Sequence, residues 1–234
     1  MKPIAFIFAR GGSKSIKNKN IKLFNGKPLI YWTIKLAKDS KLFSRIIVST
    51  DDKKTAKVSL RYGAEVPFVR PKKLALDNSN EIYAWKHAIK YLEEKNEFNS
   101  EIFVSLPTVS PLKIKKDITD AIKNLKKTDA DLVIGLTKSH RNPHFNMLKK
   151  NTKNFFDLVI NDKNYINRQK SPKIYDVTSI IYVAKRDYVI KAKSIFEGKV
   201  GAILIPKERS IDIDDIYDFK VAELIFKNKN VFKL

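Results

Sequence analysis

Apolar positions along the chain fall into two rhythms that alternate. Short apolar runs at 3–9, Arg45–Thr50, Glu65–Val69, Glu101–Leu106, Asp131–Leu136 and 200–205 have the length and β-branched character of buried strands. Between them the spacing lengthens to a helical period. Leu29, Trp32, Ile34 and Leu36 predict a helix over 28–38, with Pro28 in its first turn. Asp51 and Asp52 are N-cap candidates for a helix running to Tyr62, which Gly63 stops. Ile82, Trp85, Ile89 and Leu92 predict a helix over 80–95, and further helices are expected at 113–127 and 215–227. This alternation predicts a three-layer α/β fold, a mostly parallel sheet with helices on both faces. In such a fold ligands bind beyond the carboxyl ends of the strands.

The rhythm breaks after residue 138. Residues 139–173 are polar and irregular, with turn signals at Asn142-Pro143, Asn151, Asn161-Asp162 and Asn164. Alternating patterns at Phe155–Ile160 and Tyr175–Val183 predict strands there. The expectation is one domain over 1–234 with an inserted arm at 139–175 that packs on a second subunit. His140 and His144 have a metal-chelating spacing, but Pro143 between them argues for a loop and no third ligand is evident.

Hydrophobic residues make up 43% of the chain, enough for a real core, and no stretch reaches the roughly 18–20 apolar residues of a membrane span. The apolar start is cut short by Arg10 and Gly11 and reads as a strand, not a signal peptide. With no cysteine there is no disulfide, thiolate metal site or cysteine nucleophile, which fits a cytoplasmic protein. Lys and Arg number 47 against 25 Asp and Glu, a formal net charge of +22. That balance raises a nucleic-acid partner. Against it, only eight of the 47 cations are arginine, the residue whose planar fork reads bases and phosphates. The lysines are also spread along the chain instead of forming a block. A basic surface equally favours small anionic substrates.

Two segments carry candidate chemistry. Ala9-Arg10-Gly11-Gly12-Ser13-Lys14, with Lys19 and Asn20 following, combines two glycines that let backbone N–H groups approach an anion with three cations, Arg10, Lys14 and Lys19. The spacing is not that of a Walker loop. The bland alternative is a glycine turn beside surface lysines. Near the end, Asp212-Ile213-Asp214 on an extended segment projects both carboxylates to one side. They are hard oxygen ligands suited to Mg²⁺, with Asp214 the better candidate for taking a proton from a hydroxyl. The alternative is that Asp214 caps the last helix. Asp218 reads as a solvated first-turn carboxylate. His87, Trp32 and Trp85 read as structural, and the absence of a Gly-x-Ser-x-Gly elbow argues against a serine hydrolase.

The loop at Ala9–Lys14, then Lys19-Asn20-Ile21 and Gly26-Lys27-Pro28-Leu29-Ile30, resembles the opening of the acylneuraminate cytidylyltransferases. These are the CMP-sialic acid synthetases and their relatives for legionaminic and pseudaminic acids. The resemblance continues through Val48-Ser49-Thr50-Asp51-Asp52, Tyr62–Phe68 with Arg70-Pro71, Ser110-Pro111-Leu112 and Arg209-Ser210-Ile211-Asp212-Ile213-Asp214, nearly the whole chain in order. It implies a nucleotide-diphospho-sugar transferase type of fold, a homodimer, and CTP with Mg²⁺. Arg10–Lys14, Lys19 and Asn20 are then expected on the CTP phosphates, and Arg70 with Asp77 and Ser79 on base and ribose. The acidic sugar would meet Thr108, Ser110, His140, Arg141, Asn142, Arg168, Gln169, Tyr175, Asp176 and Thr178. The implied reaction is attack of an anomeric hydroxyl on the α-phosphorus with pyrophosphate leaving, with Arg10, Lys19 and Asp214 as catalytic residues. Where sialic-acid enzymes carry glutamine, this chain has Pro107, and the segments His140–Met147 and Tyr175–Thr178 are more similar to bacterial legionaminic acid enzymes. The readings that stay open are a different acid such as an eight-carbon ulosonate, a catalytically dead relative, and a basic nucleic-acid binder.

Overall fold

The computed structural model describes residues 2–161 and 171–228. Strand β1 (Ile4–Phe8) leads through a 3₁₀ turn at Lys19–Ile21 and a small hairpin, β2 (Leu23–Phe24) and β3 (Lys27–Pro28), into α1 (Leu29–Ser40). Next come β4 (Arg45–Ser49), α2 (Lys53–Arg61), α3 (Glu81–Glu93), β5 (Ile102–Ser105), α4 (Lys115–Lys127) and β6 (Leu132–Lys138). Then β7 (Leu148–Lys150) pairs with β8 (Phe156–Leu158) in a separate hairpin. The chain closes with β9 (Tyr175–Lys185), α5 (Arg186–Lys191), β10 (Val200–Leu204) and α6 (Ile216–Lys227).

The main sheet has the order β10-β6-β9-β5-β1-β4, with β9 antiparallel to its neighbours and the rest parallel. Alternation along the strands divides the core between its faces. Ala5 and Ile7 pack with Ile30 and Ile34 of α1 and Ile118 and Ala121 of α4. Ile4 and Phe6 pack with Trp85 and Ile89 of α3 and Val189 of α5. The three layers expected from the pattern are therefore present. A third cluster, beside the sheet, locks α6 to α1 and the hairpin through Phe24, Leu29, Phe219 and Phe226.

Three elements differ from the expectations. The strand expected at Glu65–Val69 is reduced to isolated parallel bridges, Ile47–Glu65 and Thr50–Val69, because Pro67 has no N–H to extend a ladder. Helix α5 was not foreseen; its single buried residue, Val189, leaves no periodic signal. The segment Tyr175–Val183, expected in or beside the arm, is the centre of the main sheet. There β9 carries a register shift. Ile134 faces Tyr182 while its neighbour Gly135 faces Thr178, so Ser179, Ile180 and Ile181 bulge from the ladder. Gly135 is needed at that point, since a Cβ there would lie 2.6 Å from Thr178 Oγ1. No helix among the described residues is long and apolar enough to cross a membrane.

Candidate functional site

The carboxyl ends of β1, β4 and β5 open onto a cleft of about 320 Å³. From β1 the chain runs into Arg10 and the glycine turn. Gly11 N–H donates to Asp51 Oδ1 at 2.8 Å, and a Cβ on Gly11 would lie 2.6 Å from Asp52 Cβ. Glycine is thus required by the close approach of the loop to the start of α2, where Asp52 is the N-cap and accepts from Thr55 N–H at 2.7 Å. The N–H groups of Gly12, Ser13 and Lys14 donate to no acceptor among the described residues. They remain available for an anion. Asn20 fixes the loop from below: its Nδ2 donates to Arg10 O at 2.9 Å, and its Oδ1 accepts from Thr108 at 2.5 Å.

Arg10, Gly12, Ser13, Lys19, Asn20, Arg70, Asp77, Ser79 and Thr108 all line this cleft. Two details were not foreseen. Asp77 is an anion set against the cations, 2.5 Å from Arg10 Nη1 and 2.7 Å from Lys14 Nζ. Those two bonds hold its carboxyl below the usual range. Ala9 lies buried, tied by its N–H to Ser49 O at 3.0 Å, and contributes backbone placement only. Lys19 Nζ donates to Ile213 O at 2.7 Å, which joins the glycine loop to the Asp212–Asp214 segment. Burial lowers the Lys19 pKa, and nearby Asp214 opposes that.

Ile213 is fully buried in the α6 cluster, so the residues on either side of it are turned outward. Asp212 is held tightly. Ser110 Oγ donates to Oδ1, and Ser179 N–H donates to Oδ2 at 2.8 Å, the latter made possible by the β9 bulge. Asp214 is exposed and its carboxylate accepts no bond among the described residues. Asp215, not Asp214, is the N-cap of α6, and Asp218 is its partner in a capping box instead of a merely solvated carboxylate. The alternative reading of Asp214 as the helix cap is thereby removed.

Behind Asp212 lies Lys113, which the sequence reading passed over. Its buried ammonium donates to Pro107 O at 2.6 Å and Ser110 O at 2.5 Å, fixing the Thr108–Ser110 turn. Burial pulls its pKa to about 7, against the pull of Asp212 and Asp117. Asp117 is itself paired with buried Arg209. At the opposite end, Arg70 crosses under the cleft: Nε donates to Ser49 Oγ at 3.0 Å, Nη2 donates to Ser49 O, and Cζ sits 5.5 Å from the Phe8 ring centroid. Burial lowers its pKa to about 10, with Asp51 and Glu81 opposing. Glu81 and Tyr182 line the same end and were also missed. Glu81 had a readable signal. It falls on the helix face of Trp85, Ala88 and Leu92, a carboxylate on an apolar stripe. Ser179 had none, since it depends on a bulge.

The residues expected on the sugar are divided. Thr108 lines the cleft, whereas Ser110 is fully buried and touches Asp212. Thr178 is buried against Gly135. Asn142 spends its amide on the local turn, donating to Pro172 O at 3.0 Å and accepting from His144 N–H at 2.9 Å. His140, Arg141, Tyr175 and Asp176 are exposed on the arm side. Arg168 and Gln169 lie outside the described residues.

Residues 4–231 of the chain match a cytidylyltransferase family. The chain belongs to that family. It is 36% identical over 228 residues to the CMP-N,N'-diacetyllegionaminic acid synthase of Campylobacter jejuni, covering 96% of this chain and 95% of that one. It is 35% identical over 227 residues to the post-translational flagellin modification protein B of Campylobacter coli, again covering 96% and 95%. In fold it is similar to a CMP:2-keto-3-deoxy-manno-octonic acid synthetase solved with CTP, with a TM-score of 0.71 at 15% identity, covering 98% of this chain and all of that one. The cytidylyltransferase is therefore a nucleotidyltransferase on a nucleotide-diphospho-sugar transferase type of fold.

Proposed function

We propose that this cytidylyltransferase moves CMP from CTP onto the anomeric hydroxyl of a nine-carbon acidic sugar of the legionaminic, pseudaminic or sialic type. The observation that carries the reading is Lys19, bonded to Ile213 O between Asp212 and Asp214 while lining the cleft of the glycine loop. This bond couples a phosphate-facing cation to a carboxylate pair. The relatives named for a CMP-sugar acid point to the sugar class.

In the reaction the anomeric oxygen forms a bond to the α-phosphorus, the bond from that phosphorus to the bridging oxygen breaks, and pyrophosphate leaves. Such a displacement depends on alignment and on neutralising phosphate charge. Arg10, Lys19 and the N–H groups of Gly12 and Ser13 supply that charge on the pyrophosphate side. Asp212 and Asp214 fit a divalent cation by chemistry, two carboxylates flanking buried Ile213. Bound there, Mg²⁺ would polarise the phosphate oxygens and acidify a hydroxyl. Asp212, oriented by Ser110 and Ser179, suits a fixed ligand, and unconstrained Asp214 suits acceptance of the sugar proton.

The arm at 139–175 is proposed to pair two subunits. Its hairpin leaves large apolar side chains uncovered, with Phe155 70%, Phe156 64% and Leu148 60% exposed. A cysteine-free enzyme using CTP belongs in the cytoplasm. The test is pyrophosphate release from CTP and Mg²⁺ over a panel of legionaminic, pseudaminic, N-acetylneuraminic and eight-carbon acids. Release with a nine-carbon acid, absent without sugar, is expected. Release with the eight-carbon acid alone would move the substrate class, and no release with any acid despite CTP binding would sink the reading.

A further inference from the structure

One end of the cleft is lined by two charged side chains, Arg70 and Glu81, that the phosphate chemistry does not use. Arg70 is immobilised by Ser49, which takes its Nε and Nη2, so Nη1 is the arm of the fork without a bond among the described residues. Glu81 opens α3 and lies deep in the cleft while keeping contact with solvent through its mouth. One of its oxygens, Oε1, accepts from Trp85 Nε1 at 3.2 Å, and Oε2 accepts nothing among the described residues. Burial raises the Glu81 carboxyl pKa, with the Trp85 bond and the charge of Arg70 opposing. Around the two lie apolar surfaces, Phe8, Leu74 and Ala84. A held donor and an open acceptor lining the same end of a cleft, with apolar neighbours, can serve as a template for a base edge.

Cytosine presents an acceptor at N3 next to a donor at its 4-amino group. Uracil presents the reverse, a donor at N3 and an acceptor at O4. We infer that Glu81 is the base-reading residue of this enzyme, its free carboxylate oxygen accepting from the cytosine 4-amino group while Arg70 Nη1 donates to N3. The inference rests on the cleft being the CTP site proposed above, and it names the side chain that makes that site prefer CTP to UTP. With uracil the carboxylate would face O4 and Arg70 would face N3–H, leaving two buried polar contacts repulsive. Rejection of this kind, by groups left unpaired, is stronger than rejection by fit. Adenine shares the acceptor–donor order at N1 and its 6-amino group, so Glu81 does not exclude ATP; the width of the cleft must do so.

The test is calorimetric binding of CTP, UTP, ATP and N4,N4-dimethyl-CTP to the wild type, Glu81→Gln and Glu81→Ala, without sugar. A thermal melt checks that each variant is folded. The glutamine keeps the acceptor for Trp85 and can also donate to O4. Its CTP-to-UTP preference is expected to fall by at least about tenfold, the worth of one bond to a charged group. Its CTP-to-ATP preference moves little, which general damage to the cleft would not reproduce. The wild type is expected to bind dimethyl-CTP at least about tenfold more weakly than CTP, and Glu81→Ala to bind the two alike. An unchanged CTP-to-UTP ratio in both variants overturns the role of Glu81 while leaving the CTP site intact. Failure of the wild type to bind CTP at all would instead overturn the function on which the inference rests.

Discussion

On one wall of the cleft, Asp212 receives bonds from Ser110 and Ser179, Ser110 O and Pro107 O are held by buried Lys113, and behind them Asp117 pairs with Arg209, 4% and 9% exposed. On the other wall, Arg10 and Lys14 meet Asp77 in pairs whose side chains are 38%, 84% and 41% exposed. The first wall is a closed, buried network and the second is a set of solvated charges on loops. Buried, satisfied networks hold one geometry, while exposed ion pairs exchange readily with water and ligands. The difference fits the division of labour in the proposed reaction. The group that sets the metal must not move, and the groups that grip a triphosphate must let go of pyrophosphate.

The largest break is expected at the base of the fixed wall. Asp117→Asn strands the Arg209 cation in the interior, and it also weakens the α4 start, where Asp117 Oδ2 accepts from Ile114 N–H at 2.8 Å. Denaturant unfolding is expected to show a loss of about 3–5 kcal/mol, as for other broken buried pairs. A loss under about 1 kcal/mol would mean that water reaches the pair and that this wall is no more rigid than the other.

Next in size is Asp212→Asn. Turnover is expected to fall at least about a hundredfold, with the CTP dissociation constant within about threefold, because the phosphate grip lies on the opposite wall. Ser110→Ala, which only frees Asp212 to rotate, is expected to cost about ten- to a hundredfold in kcat. Should Ser110→Ala leave kcat untouched, orientation of Asp212 is not what this wall provides.

The contrast also explains which parts were legible in the sequence. On the exposed wall, the loop from Arg10 to Asn20 was legible from local composition, whereas Asp77 and Ser79 came only from the family resemblance. Most strands and helices up to 138 were legible because their period is local; Glu65–Val69, where Pro67 interrupts the ladder, is the exception. The fixed wall is assembled from distant pieces. Lys113 looks like one lysine among many until the turn at Pro107–Ser110 folds over it. Ser179 reaches Asp212 only through a bulge set by pairing of β9 with β6, and no pattern in the sequence of β9 marks its insertion at the centre of a parallel sheet. Asp214 and Asp218 were both open to misreading because four acidic residues lie within seven positions there. Only the backbone shows that Asp215 takes the cap.

A smaller effect is expected at Asp52, which supports the exposed wall from outside the cleft. Burial works against its carboxylate, but the bonds from Thr55 outweigh that and hold its pKa below the ordinary value. A carboxyl shifted downward on folding stabilises the fold above its unfolded pKa, and that contribution is lost as pH falls through the lowered one. Asp52→Ala is therefore expected to cost about 1 kcal/mol near neutrality. The gap from wild type should close below about pH 4, read by thermal melts across pH. A penalty that persists unchanged at low pH would assign the effect to packing instead of the cap.

The smallest effect, Asp77→Asn, discriminates most sharply between the two readings of that residue. If Asp77 binds the nucleotide directly, as the resemblance implied, its loss weakens CTP. The geometry favours the other outcome. Its two oxygens are spent on Arg10 and Lys14, the cations that a triphosphate needs, so CTP must displace an internal anion. Removing that competitor is expected to tighten CTP about two- to fivefold, within the range of an exposed pair. Protonation will not release the clamp at working pH, because both cations hold the Asp77 carboxyl below its usual range. Salt will: in about 0.5 M salt the pairs are screened and the variant should converge on the wild type. Weaker CTP binding in the variant at every salt concentration would place Asp77 on the nucleotide and return it to the fixed part of the site.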